Sequence, residues 1–245
     1  MNEAELAHIR GVRDDGTIRS GSEYKEKPKV PWKTILTTPN LWYVVFSWVC
    51  WNYAIYFFLT WLPTYLVEYR HFPINQMAIY ASLPLLAGMI GNTVGGILTD
   101  RVVKKTKNLK FARAVVAVPA LLAAAGLMLP AAFAGGQYTA LVSLVVAQFF
   151  LECVQGPQWS LPMDIGGKYA GTVAGLMNGF GNLAGALSPI IFGFLVQRGL
   201  WQAPFLMTAI LLATGACIWA FLIDPEKTVT GKDTAGSFQS AVTKK

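Results

Sequence analysis

Several stretches of about twenty residues between Asn40 and Ile223 carry no charged side chain, the length a helix needs to cross the hydrocarbon core of a bilayer. A soluble surface cannot be built from such a chain. Only 13% of the residues are charged and 54% are hydrophobic, against about 25% charged in a typical soluble domain. The same numbers exclude a disordered chain, a collagen and a coiled coil. The expected class is an all-α integral membrane protein. Six apolar spans are legible, over about 40–67, 75–99, 112–133, 138–161, 170–196 and 203–223. They divide the chain into a polar arm (1–33), a six-helix transmembrane domain (34–223) and a polar tail (224–245) expected to be disordered.

The net charge of +7 is explained by position. Basic residues cluster in the arm, around 101–113 and in the tail. With six spans both termini lie on one side, and that side holds 18 of the 20 basic residues. The positive-inside rule therefore predicts cytoplasmic termini and a multi-pass protein of the cell inner (plasma) membrane. A nucleic-acid groove would interleave basic and aromatic side chains on one exposed face, and none is legible, so no nucleic-acid partner is expected. Cys50, Cys153 and Cys217 lie inside apolar spans without metal-site spacing and read as small buried residues.

The spans differ in polarity. The third and sixth are almost free of polar side chains and are expected to face lipid. The first, second, fourth and fifth carry Asn, Gln, Tyr, Ser, Glu and many Gly, and are expected to line an interior, because polar groups in a bilayer must face protein or water. A pattern with a period of three helices predicts a 3+3 inverted repeat.

Polar residues also fall on stripes. Gln148, Glu152, Gln155 and Trp159 are spaced by 4, 3 and 4, which places them on one narrow helix face. Glu152 is the only ionisable residue near the middle of a span, and an intramembrane carboxylate is functional by default. Two roles are open for it: carrying a proton, or holding neighbouring amides in place. In the fifth span Asn178 and Asn182 share a face with Gly171, Gly175, Gly185 and Pro189. The Gly-x-x-x-Gly steps there serve helix packing. The run Gly179-Phe180-Gly181-Asn182-Leu183-Ala184 matches a dinucleotide fingerprint only in letters, since it follows no strand and no acid lies about twenty residues on. In the first span Asn52, Tyr56 and Thr60 repeat at every fourth position, a polar face suited either to a hydroxylated ligand or to packing. Both histidines lie in loops, and no nucleophile is grouped with a base. No enzyme activity, metal or cofactor is expected.

The end of the second span, Gly95-Gly96-Ile97-Leu98-Thr99-Asp100-Arg101-Val102-Val103-Lys104-Lys105, resembles the G-x-x-x-D-R-x-x-[RK] loop signature of the major facilitator superfamily, in its second copy. Phe58-Leu59-Thr60-Trp61-Leu62-Pro63-Thr64-Tyr65-Leu66 and Asp164-Ile165-Gly166-Gly167-Lys168-Tyr169-Ala170-Gly171, with the Asn178–Pro189 stretch, are similar to the anion:cation symporter family. That family usually shows Ala-Pro where this chain has Gly166-Gly167.

The resemblance implies the C-terminal half, helices seven to twelve, of a twelve-helix transporter. It implies secondary transport of an organic anion such as a sugar acid or hexuronate, coupled to protons, with an N-terminal six-helix half as partner. It also implies substrate contacts at Tyr56, Gln155, Trp159 and Asn178, to which the stripes add Asn52 and Asn182. Glu152 is the proton-coupling candidate. Gly96, Asp100, Arg101 and Lys104 form the conformational loop motif, in which Gly96 permits close packing. The expected partners are thus a small organic anion, protons, membrane lipid and the other half. No cation lies in any span core, so the chain alone has nothing to neutralise a buried anion. A truncated non-transporting module and a six-helix homodimeric transporter are the alternatives.

Overall fold

The computed structural model describes residues 29–229. Helices account for almost all of them. A short α1 (Trp32–Thr37) precedes α2 (Pro39–Thr60), which Pro39 opens at its first turn, where a missing N–H costs nothing. α3 (Met77–Thr106) and α4 (Leu109–Phe133) are joined by only two residues. Lys107 ends α3 in the left-handed conformation, and the Asn108 side chain caps α4 by accepting from the Phe111 N–H at 2.8 Å. α5 (Gln137–Cys153) and α6 (Gln155–Gly166) are two parts of one path. Pro157 cannot donate to the carbonyl four residues back, which breaks the helix there. α7 (Ala170–Gln197) and α8 (Ala203–Cys217) complete the bundle, with a wide π turn over Ile218–Leu222.

Among the described residues, five apolar helical runs are long enough to cross a membrane, and one of them, Gln137–Gln197, has 61 residues, about three times what a crossing needs. Side-chain register shows that it folds back. The Trp51 indole donates to the Leu151 carbonyl at 2.8 Å and the Ser47 hydroxyl to Gln158 Oε1 at 3.2 Å, so α2 is antiparallel to the α5–α6 path. Trp48 lies against Gly181, Tyr56 against Gly185 and Trp61 against Gly193, so α2 is parallel to α7. α7 is therefore antiparallel to α6. The reversal falls at Gly167, whose φ of +50° suits a residue without Cβ. The described chain thus traverses the bundle six times.

The packing carries the expected 3+3 symmetry. α2 packs on α7 and α8, and α5, the first helix of the second triplet, packs on α3 and α4. The third helices, α4 and α8, pack on each other. Each first helix thus sits between the second and third helices of the other triplet, and the two first helices run in opposite directions.

At one end, Asn40 ties the start of the bundle to its finish. Its amide donates to the Asp224 carbonyl at 2.7 Å and the Lys227 carbonyl at 3.0 Å. Residues 224–229, read from sequence as the start of the tail, pack here, and the Val229 N–H donates to the Ile165 carbonyl at 2.8 Å. The rest of the expected arm and tail, residues 1–28 and 230–245, lies outside the described residues. At the opposite end buried Arg70 caps α4, donating to the carbonyls of Ala131 (2.5 Å) and Ala134 (2.6 Å) and to the Tyr65 hydroxyl (2.6 Å). A cation at a helix C-terminus meets the negative end of the helix dipole.

Exposure departs from the polarity-based expectation in one respect. The first span is the most enclosed, with 67% of its apolar window buried, but the second has only 22% buried, less than the third at 44% or the sixth at 33%. α3 and α7 present broad uncovered apolar faces, with Met89 and Ile190 exposed. Polar side chains on a span mark an interior only on the stripe they occupy, and the rest of the same helix is free to be apolar and open. Cys217, expected to be buried, is also exposed.

Candidate functional site

The sequence stripes resolve into two clusters, one at each symmetry-related helix crossing. At the crossing of α3 and α5, Gln148 is buried and donates from Nε2 to Glu152 Oε1 at 3.2 Å. The half-buried Glu152 carboxylate also interacts with the Gln155 and Asn92 side chains. A single carboxylate therefore sits among three amides. Gln148 Oε1 is buried without a partner. The helices come this close because of the glycines of α3. A Cβ on Gly91 would strike the Phe149 backbone, and one on Gly95 the Cys153 backbone. A Cβ on Gly88 would sit 2.9 Å from Glu152 Cγ.

At the crossing of α2 and α7, the Tyr56 hydroxyl donates to Asn182 Oδ1 at 3.3 Å. Gly185 faces the Tyr56 ring and Gly181 faces the Trp48 indole. Trp48 stacks on Trp51 with centroids 4.6 Å apart and meets Trp159 edge-on at 5.5 Å, geometries that aromatic rings prefer. Trp159 is 40% exposed, so one side of its ring is buttressed and the other is open. Its position on α6, four residues after Gln155, brings the fourth-span stripe alongside the first span.

Asn52 stands apart from the other candidates. It is buried, its amide donates to the Trp48 carbonyl at 3.1 Å, and it lies against Gly181. It is packed within the α2–α7 contact rather than presented to a ligand. Asn178 is half-buried and Asn182 is exposed, both on α7.

The expected loop motif is helical. Gly96, Asp100, Arg101 and Lys104 all lie within α3, and Asp100, Arg101 and Lys104 are exposed on its last turns. Gly96 has open space where its Cβ would be, so the close approach belongs to Gly91 and Gly95 instead. Where α3 meets α6 at this point it is Gly156 that permits the approach, since a Cβ on Gly156 would lie 3.2 Å from Gly96 Cα. Asp100 acts on Arg113 through its charge. Arg113, at the start of α4, forms a largely buried ion pair with Asp164 of α6, its Nη2 lying 2.7 and 2.9 Å from the two carboxylate oxygens.

Sequence reading missed several residues that organise this region. Gln158 is fully buried and accepts from Ser47 and from the Trp219 indole, while donating to the Val44 carbonyl at 3.3 Å. It therefore joins α2, α6 and the turn after α8. Its position, one residue before Trp159, turns it about 100° away from that residue and off the stripe. Trp48 stands four residues before Asn52, in line with the Asn52–Tyr56–Thr60 series, a spacing that could have marked it. Arg113 and Asp164 were legible singly as charges near span ends, but nothing in the sequence paired them.

A helical membrane bundle with inverted triplets, and polar groups where the first helix of each triplet crosses the second helix of the other, has the layout of one half of a secondary transporter. The Major Facilitator Superfamily profile matches residues 4–189, and the chain belongs to that superfamily. It is similar to a probable sulfoacetate transporter of Cupriavidus necator, with 39% identity over 234 residues, covering 94% of this chain and 54% of that protein. It is also similar to a probable galactarate/D-glucarate transporter of Bacillus subtilis (36% identity; 80% of this chain, 44% of that protein). A hexuronate transporter of the same organism is 32% identical, over 79% of this chain and 46% of that protein. These relatives are transporters, not enzymes, and the chain spans about half their length.

Proposed function

We propose that this chain is one half of a secondary active transporter that carries a small organic anion of the sulfoacetate, sugar-acid or hexuronate kind together with protons. Its relatives are named for such anions. The observation that carries the reading is the open polar face of Gln155 and Trp159 beside the bonded pair Tyr56 and Asn182, on helices whose neighbouring apolar faces are uncovered. A second six-helix half on α3 and α7 would cover those faces and close this polar one into a cavity.

In this reading Trp159 stacks on the ligand, Gln155 and Asn178 bond it, and the Tyr56–Asn182 pair exchanges partners with it. Glu152 is the proton carrier of this half, held by Gln148, Asn92 and Gln155. Asp100, Arg101 and Lys104, with Arg113–Asp164 behind them, form a latch at one membrane face that favours one conformer. By the positive-inside rule this face, with both termini, is cytoplasmic and the membrane is the cell inner membrane. The cation that holds the anion belongs to the other half, because no Lys or Arg lies in 34–69, 71–100, 114–167, 169–197 or 199–223.

The test is uptake into proteoliposomes under an imposed pH gradient, with sulfoacetate, glucarate and glucuronate as probes. The chain co-reconstituted with a matching six-helix N-terminal half is expected to concentrate one of them, and the chain alone none. Concentrative uptake by the chain alone would refute the division of labour. No uptake by the pair, in a preparation shown to be folded and associated, would refute the substrate class.

A further inference from the structure

Where the ends of the bundle meet at Asn40, the structure contains a cleft of about 530 Å³ outside both polar clusters. Asn40, Tyr43, Lys110, Asp224 and Lys227 line its polar part, and Phe221 and Leu222 its apolar part. The charges alternate. Asp224 Oδ2 lies 4.0 Å from Lys110 Nζ and 3.7 Å from Lys227 Nζ. A closed charged hydrogen bond is about 2.7–2.9 Å long, so the two ammonium groups flank the carboxylate without closing on it. Both lysine side chains are open to solvent, at 45% and 73% exposure. The first turn of α2 also borders the cleft and has no side-chain cap, which adds the positive end of a helix. Phe221 is 77% exposed and Leu222 45%. They lie at the end of an apolar span, where acyl chains are the available cover.

We propose that this cleft binds the headgroup of an aminophospholipid of the phosphatidylethanolamine type. The phosphodiester sits between Lys110 and Lys227 at the α2 N-terminus. The headgroup ammonium then takes the Asp224 carboxylate that the lysines leave, and the acyl chains run over Phe221 and Leu222. A free phosphate ion satisfies the lysines but leaves the apolar rim uncovered and puts no cation against Asp224, whose Oδ1 accepts from the Glu226 N–H at 3.2 Å. Phosphatidylglycerol has no cation for Asp224, and the trimethylammonium of phosphatidylcholine has no N–H to donate to it. The proposal rests on the chain being a membrane protein and not on what it transports.

The test is native mass spectrometry of the full chain in detergent, offered phosphatidylethanolamine, phosphatidylglycerol and phosphatidylcholine in equal amounts. Phosphatidylethanolamine is expected to be retained over both others, and K110Q/K227Q to lower its retention by about tenfold. Equal retention of the three lipids, or an unchanged double variant, would overturn the proposal. Should the double variant fail to fold, Asp224→Asn serves instead. Asn40 bonds only the backbone of residue 224, so this variant keeps that tie and both lysines. It is expected to shift preference from phosphatidylethanolamine to phosphatidylglycerol, and an unchanged preference would overturn the ammonium assignment. In a parallel arm inorganic phosphate is added. Displacement of the lipid by millimolar phosphate would assign the cleft to the free ion and overturn the lipid reading.

Discussion

The crossing of α3 on α5 and the crossing of α2 on α7 are related by the inverted repeat, and both are built on glycine, yet what the glycines admit differs. At α3 and α5 the space above Gly91 and Gly95 is filled by the backbone of Phe149 and Cys153. At α2 and α7 the space above Gly181 and Gly185 is filled by the rings of Trp48 and Tyr56. A backbone held in a helix cannot move aside, whereas the half-open Tyr56 ring can change rotamer, even though the buried Trp48 is held by Trp51 and Trp159. The first crossing therefore works as a fixed seam carrying a carboxylate among amides. The second is an adjustable joint carrying the aromatic and hydroxyl groups suited to a ligand.

The largest effect is expected where the seam is wedged open. Gly95→Leu places a branched side chain where the Cys153 carbonyl lies, and no rotamer avoids it. Overpacking of this kind costs about 1–3 kcal/mol where neighbours can relax and more where they cannot. Size-exclusion chromatography in detergent should show loss of the monodisperse peak. A monodisperse variant with wild-type thermal stability would mean that the two crossings are equally compliant.

Next in size is Glu152→Gln, which keeps the amide contacts but cannot titrate. In the co-reconstituted transporter, pH-driven accumulation should fall to the level of simple equilibration while counterflow exchange of labelled anion persists. Accumulation at the wild-type level would make Glu152 structural and move proton coupling wholly to the other half. The contrast would then lie in packing alone.

How much of this was legible from sequence depends on the scale of the feature. Span positions and the inverted triplets follow from periodicity and charge, which act along one helix, but the break at Val154 divides the Gln148–Glu152–Gln155–Trp159 stripe, with Trp159 at the α2–α7 crossing and the others at the α3–α5 crossing. The partners did not follow, because they depend on how helices meet. Gly96 was singled out by its motif, yet the seam is made by Gly91 and Gly95, which face α5 while Gly96 is turned some 100° away from Gly95. Asn52 shares a helix face with Tyr56 by spacing, but the close approach of Gly181 buries it while Tyr56 stays half open. The ion pair of Arg113 and Asp164 joins residues 51 positions apart, beyond any local pattern.

Gly185→Ala tests the adjustable joint. The added methyl group meets the Tyr56 ring, which must swing and give up its bond to Asn182. Folding should survive, with a lower melting temperature, and the affinity of the paired transporter for its anion should fall. A variant that lost the folded peak, as is expected of Gly95→Leu, would remove the distinction between seam and joint. Gly175→Ala is the matching control, because its Cβ would meet nothing within 4 Å, and melting should be unchanged or slightly raised.

The smallest effect sharpens the comparison most, because it removes one atom from the joint and leaves the packing alone. Tyr56→Phe deletes the hydroxyl that donates to Asn182 at 3.3 Å. The bond is long, both groups are at least partly exposed, and water can replace either partner. The stability change should therefore lie at or below the lower end of the usual 0.5–1.5 kcal/mol for a hydrogen bond, on the order of half a kcal/mol. Binding should respond differently. If the hydroxyl leaves Asn182 for the ligand, its deletion leaves a ligand oxygen in a closed cavity unpaired, at a cost of about 1–3 kcal/mol, or roughly 5- to 150-fold in affinity. Melting curves and anion-binding isotherms on the same co-assembled preparation separate the two. Affinity loss with near-constant melting temperature places Tyr56 at the ligand. A matched loss of both would make the pair a packing contact, and the joint would then be defined by its aromatic rings alone.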